Sequence, residues 1–200
     1  MTLAALGPRP AASEAKAKVV VVGGGIGGAT AAKYLATGAR TIEVTLVEPK
    51  TNYTTCFFSN LYLAGLCSLE SLTHGYETLA QRYGINVIHD SVTAVDPVAR
   101  TVGLKSGPKL PYDRVVVAPG IAFNYDALAG YDEAATHVIS HAWNAGPQTQ
   151  LLRRQLESME DGGVFVLVAP PTRSAARPPH TNVPLWSLII SNSISRTRGS

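Results

Sequence analysis

The stretch Lys18-Val19-Val20-Val21-Val22-Gly23-Gly24-Gly25-Ile26-Gly27-Gly28-Ala29-Thr30-Ala31-Ala32-Lys33-Tyr34-Leu35 decides how the rest of the chain is read. Its valines are β-branched and apolar without interruption, the pattern of a strand buried on both faces of a parallel sheet. The glycines end that strand, and the alanine-rich run beyond them favours a helix. Ile42-Glu43-Val44-Thr45-Leu46-Val47 reads as a second strand, stopping at Glu48-Pro49. Strand, glycine turn, helix and strand within about thirty residues make a right-handed parallel crossover, so the fold class is α/β.

Gly23, Gly25 and Gly28 fit G-x-G-x-x-G. In such a turn the first glycine allows the tight bend and the second lets a pyrophosphate reach the backbone. The third lets helix and strand pack closely, while the helix N-terminus stabilises the phosphate charge. Glu48 lies twenty residues after Gly28, where a carboxylate can accept a ribose hydroxyl. An acid there disfavours a 2′-phosphate, so NADP is not expected. A glycine match alone is a weak sign, since a structural turn can also give it. Strand, helix, second strand and acid in one register make it a dinucleotide site.

Outward from this unit, an aromatic-rich loop is expected from Asn52 to Gly65 and a helix from Leu69 to Tyr83, stopped by Gly84. Ile85 to His89 reads as a strand. Val92–Val95 and Thr101–Leu104 form a meander turning at Asp96-Pro97. Tyr112-Asp113-Arg114-Val115-Val116-Val117-Ala118-Pro119-Gly120 is a buried strand with a Pro-Gly ending. A helix is expected over Ala142–Met159, with Leu151, Leu152 and Leu156 facing one core. Gly162-Gly163 ends it, and Val164–Val168 opens another strand.

Composition narrows the classes further. Hydrophobic residues make up 46% and charged residues 16%, enough apolar material for a core and too little charge for a disordered chain. The net charge of +3 is unevenly placed, because residues 172–200 hold four Arg and no acid. Residues 1–171 hold 13 Lys+Arg against 14 Asp+Glu, which speaks against a nucleic-acid-binding body. No apolar run approaches the roughly 20 residues of a membrane span. Two cysteines, Cys56 and Cys67, cannot build a disulfide framework or a four-ligand zinc site, so no metal site is expected. Residues 1–17 lack a basic n-region and a full apolar h-region; they read as a leader or the remnant of a signal peptide, not as an intact one.

The Tyr112–Gly120 segment resembles the second fingerprint of the two-dinucleotide-domain flavoproteins. The resemblance implies that the ligand is FAD and that Ala118, Pro119 and Gly120 pass near it. That superfamily usually places another glycine turn after the first strand of its NAD domain. Here Ala169-Pro170-Pro171 follows Val164–Val168, and proline removes N–H donors, which argues against NAD(P)H as electron partner.

More segments join this resemblance: Glu43–Pro49, Tyr53-x-Thr55-Cys56-x-x-Ser59-Asn60, Leu69-Glu70-Ser71 with His74-Gly75-Tyr76, His89-Asp90-Ser91, Tyr112-Asp113-Arg114 and His141-Ala142-Trp143. Together with Val19–Tyr34 they resemble the flavoprotein subunit of flavocytochrome c sulfide dehydrogenase, over about residues 18–171. The resemblance implies FAD held covalently through Cys56, as a thioether to the flavin 8α-methyl carbon; a thiolate is the suitable nucleophile. It implies sulfide as substrate, a cytochrome c subunit as partner and electron acceptor, and the periplasm as location. Cys67 is expected to be packing, His74, His89 and His141 to make structural hydrogen bonds, and Trp143 to lie in a core or domain interface.

The implied architecture is a Rossmann-like FAD-binding domain, with its N-terminal segment at 18–125, a parallel sheet with helices and a β-meander. A linker helix and the first strand of a second α/β domain follow at 126–171. The family's redox cysteines have no counterpart here, so no catalytic residue is assigned. Where the family reads Pro-Phe-Arg-Cys-Pro-Pro, this chain has Thr172 to Pro179. A shifted reading frame over Arg173–His180 can yield Phe-Arg-Cys-Pro-Pro-Ala-Pro. Residues 172–200 are therefore expected to be an unstructured, out-of-frame tail, and the chain a truncated fragment. The rival readings are a quinone-linked sulfide or NADH oxidoreductase and a non-catalytic FAD-binding fragment.

Overall fold

The structure, a computed structural model, describes residues 16–39, 41–125, 129–141 and 143–166. The expected tail at 172–200 and the Ala169-Pro170-Pro171 turn lie outside the described residues, as does nearly all of the leader. The chain divides into two compact units. One takes in residues up to Thr51 together with Tyr76–Gly120; the other takes in Asn52–Gly75 and the residues from Ile121 onward.

The first unit is built on β1 (Ala17–Val22), α1 (Ile26–Gly38) and β2 (Ile42–Val47), as the valine–glycine stretch predicts. Completing its parallel sheet are β5 (Asn86–Ile88) and β9 (Arg114–Val117), in the order β5-β2-β1-β9, so that β9, expected to be buried, is a half-buried edge strand of this sheet with Val117 exposed. Side chains alternate across the sheet. Val20 and Val47 join Val102, Leu104 and Tyr112 in a core beneath the meander β6 (Val92–Asp96), β7 (Thr101–Leu104) and β8 (Lys109–Pro111). Val21 and Leu46, of opposite parity, are fully buried. Gly28 and Ala32, one turn apart, are the buried residues of α1. Their small size lets the helix lie close to the sheet.

Two expectations need correction in this unit and its neighbour. Leu69–Tyr83 is not one helix but a 3₁₀ turn at Glu70–Leu72, strand β4 (Thr73–Gly75) and helix α3 (Glu77–Tyr83). Short polar side chains compete with the helix: Ser71 Oγ donates to Ser68 O at 2.7 Å and Thr73 Oγ1 to Leu69 O at 3.0 Å. Thr73–Gly75 then pairs antiparallel with β3 (Asn52–Thr54), a strand within the expected loop. That loop also holds α2 (Ser59–Leu63). Gly84 does stop α3, with φ +66° and its N–H donating to Ala80 O at 3.0 Å.

In the second unit, α4 spans Pro147–Glu157 and not Ala142–Met159. Gly146 adopts φ +133°, open to glycine, and Pro147 takes the first helical position, where its missing N–H costs nothing. Leu152 and Leu156 are buried against Leu63, Ala64 and Met159, as their spacing predicts, whereas Leu151, expected on the same face, is only half-buried and outside this cluster. Because the helix starts late, Trp143 lies in the turn before it and is exposed, not in a core. Val164–Val166 are exposed and carry no strand among the described residues, and the rest of the expected strand, residues 167–168, lies outside them. A β-branched run becomes a strand only when a neighbour supplies the ladder.

His141 also departs from expectation. Its ring lies 4.4 Å from Phe123, and the buried Nδ1 has no hydrogen-bond partner among the described residues. Burial pushes the imidazole below the usual histidine value of 6.5. The unfolded chain therefore takes up the proton first as pH falls below about 6.5, and stability falls with it until the folded-state value is passed. Urea midpoints at pH 7 and pH 5 should differ more for the wild type than for His141→Phe. Equal differences would remove His141 as the cause.

Candidate dinucleotide-binding site

In the sheet order, β1 is flanked by β2 on one side and β9 on the other, so the chain direction of travel switches beside β1. Ligands of open parallel sheets sit outside the carboxyl ends of the strands at such a switch point. The glycine turn leaves β1 at that edge. Gly23 has φ +97°, and a Cβ there would lie 2.2 Å from Ala118 O and 3.3 Å from Pro119 Cα. Ala118 N–H donates to Val22 O at 2.8 Å, and Gly23 N–H to Val47 O at 2.9 Å. The turn is thus closed on both sides by the ends of β9 and β2.

Gly25 caps α1 with extended ψ, and its carbonyl accepts Ala29 N–H at 2.9 Å. The first N–H groups of α1 have no partner within the helix. Glu48 follows β2 directly. One carboxylate oxygen accepts Gly24 N–H at 2.7 Å and the other Lys50 N–H at 3.1 Å. Each oxygen keeps a lone pair for a further donor such as a hydroxyl. Tyr76, buried at 5% exposure, donates its hydroxyl to Gly24 O at 2.9 Å. His89 Nδ1 lies 3.2 Å from Glu48 O, the structural role expected of it.

Cys56 belongs to the second unit and is exposed. Its carbonyl accepts both Ser59 N–H at 3.2 Å and Ser59 Oγ–H at 2.8 Å, which fixes the start of α2. Phe58 adopts φ +64°, unusual for a bulky residue, and its carbonyl is 4.0 Å from Cys67 Sγ. Cys67 is half-buried in this turn, in keeping with packing.

Residues 17–157 match the family model for pyridine nucleotide-disulphide oxidoreductases. The chain belongs to this family. A 43-residue stretch is 65% identical to the sulfide dehydrogenase (flavocytochrome c) flavoprotein chain of Chlorobaculum thiosulfatiphilum, covering 90% of that sequence and 22% of this one. A longer stretch, 121 residues, is 31% identical to the sulfide-quinone reductase of Aquifex aeolicus. It takes in 60% of this chain and 28% of that relative's length. The solved sulfide:quinone oxidoreductase of Aquifex aeolicus shares the fold, with a TM-score of 0.58 at 23% identity over 70% of this chain and 32% of its own.

In this pyridine nucleotide-disulphide oxidoreductase chain the structure brings Gly23, Glu48, Ala118 and Pro119 together around one turn. Gly28 is needed there for a second contact besides its close packing on the sheet. A Cβ on it would lie 1.8 Å from Gly23 O but 3.4 Å from Val21 Cγ1, so the helix closes on the turn more than on the strand. Gly120 turns the chain with φ +81° and crowds nothing. Tyr76 and Gly24 were not legible as site residues. A third glycine at the free position of the pattern was the one available signal.

Proposed function

We propose that this chain carries the FAD-binding part of a sulfide-oxidising flavoprotein of the flavocytochrome c type. The observation that carries the reading is the glycine cradle closed by Ala118 and Pro119, with the Glu48 carboxylate at its rim. A Cβ at Gly23, Gly24 or Gly28 would strike Ala118, Tyr76 and Glu48, or the Gly23 carbonyl, so these glycines hold the tight turn at the N-terminus of α1 that a dinucleotide fingerprint needs. Gly23, Gly25 and Gly28 would hold the pyrophosphate, Glu48 the adenosine ribose, and Ala118, Pro119 and Gly120 the wall nearest the flavin. FAD in such a site supplies a two-electron acceptor that can release electrons singly. Cys56 would tether it through a thioether, for which its exposure is suited.

In this reading sulfide is the substrate of the whole protein, a cytochrome c subunit its electron acceptor, and the periplasm its location. With Cys56 given to the flavin, Cys67 alone remains, so no residue here is assigned to a redox disulfide. The 18–125 segment would be the N-terminal part of the FAD domain. The test is direct: load the chain with FAD, precipitate it with acid, and look for yellow colour in the pellet. Colour that stays supports the thioether. Free flavin in the supernatant refutes the Cys56 assignment alone, and a chain that never binds flavin removes the FAD reading itself.

The 121-residue likeness to a sulfide-quinone reductase favours one second reading, a quinone as acceptor. Flavin photoreduced on the protein and reoxidised by a soluble quinone, but not by ferricytochrome c, would select it.

A further inference from the structure

Gly24 occupies the position in G-x-G-x-x-G where the pattern itself demands nothing. Yet a Cβ on it would lie 2.6 Å from Tyr76 Oη and 2.8 Å from both Cβ and Cγ of Glu48. Its two backbone polar groups are also held by side chains from other elements. Gly24 N–H donates to Glu48 Oε2 at 2.7 Å, and Gly24 O accepts the Tyr76 hydroxyl at 2.9 Å. Tyr76 reaches this point from the start of α3, and its ring lies 5.8 Å from that of His89, which is itself 3.2 Å from Glu48 O.

A glycine peptide left to itself has wide conformational freedom. Were the Gly24 N–H to turn away, the Glu48 carboxylate would lose a donor and its direction. We propose that Tyr76 is a positioning residue for the adenosine ribose: its hydroxyl locks Gly24, and the locked Gly24 N–H aims Glu48 at the vicinal ribose hydroxyls. This rests on the dinucleotide reading of the site. The Lys50 N–H on the second oxygen completes the aim, leaving lone pairs that accept hydroxyl donors and repel a phosphate.

The test compares ADP with 2′,3′-dideoxy-ADP, by calorimetry on the full chain, for the wild type and Tyr76→Phe. The wild type should prefer ADP. Tyr76→Phe should weaken ADP about tenfold, the scale of one lost hydrogen bond, and leave the dideoxy analogue within about twofold. A purely structural tyrosine would weaken both equally, and that result, or no change in either, overturns the proposal. A wild type that binds neither nucleotide overturns the dinucleotide reading, and the positioning role with it. Should Tyr76→Phe not fold, hydrogen exchange in the wild type decides: a slow Gly24 amide supports the lock, and a freely exchanging one sinks it.

Discussion

Gly28→Ala should unfold the first unit or cost it about 3 kcal/mol, at the upper end of what overpacking a close-packed site does. Local propensity argues the other way. Gly28 lies inside α1, where alanine is better than glycine by about 1 kcal/mol. Tertiary contact decides the sign. The added methyl would meet Gly23 O at 1.8 Å and Gly23 C at 3.0 Å. Those atoms cannot withdraw, because Gly23 N–H is bonded to Val47 O and its own face abuts Ala118 O. Against a net stability of roughly 5–15 kcal/mol for a domain, that loss is large. Gly27→Ala is the control: nothing lies within 4 Å of a Cβ there, so it should be neutral or slightly stabilising. Urea denaturation of both variants checks the pair. Equal midpoints would mean that α1 does not close on the turn as described.

Cys56→Ser should abolish acid-stable flavin while leaving the fold intact. The thiolate is the nucleophile that a thioether needs, and a serine hydroxyl is no substitute. The substitution changes one exposed atom, and surface changes of that kind stay within about 0.5 kcal/mol. The turn itself is held by the Cys56 carbonyl, which accepts Ser59 N–H and Oγ–H and which serine retains. Cys67→Ser should keep its flavin through precipitation. The measurement is the flavin absorbance of pellet and supernatant for each variant. Colour retained by Cys56→Ser would assign the tether elsewhere, while equal loss in both would point to a fold defect common to the two.

Legibility along the chain follows the range of the forces involved. The valine strand, the glycine turn and Glu48 were readable because each is a local pattern with a single structural use. The meander was readable through its Asp96-Pro97 turn, whose Asp96 Oδ1 accepts Val98 and Ala99 N–H at 2.9 Å each. Its third strand, β8, was not, since Lys109-Leu110-Pro111 gains strand character only by pairing with β7. Thr73–Gly75, expected to be helix, forms a strand for the same reason, its partner Asn52–Thr54 lying far back in the chain. The late start of α4 follows from Gly146-Pro147, because proline suits the first helical turn and keeps the residue before it out of the helix.

By itself, the order of residues determined the α/β class, the dinucleotide pattern and the acid that ends β2, because burial and turn chemistry act over a few neighbours. Only the tertiary structure decided what each glycine is for. Gly23 makes way for Ala118, Gly28 for the Gly23 carbonyl, and Gly24 for Tyr76 and Glu48. Those partners come from strand ends and a helix start that meet only when the sheet has assembled. A steric limit is set by the atom on the other side of the contact, and no stretch of sequence names that atom.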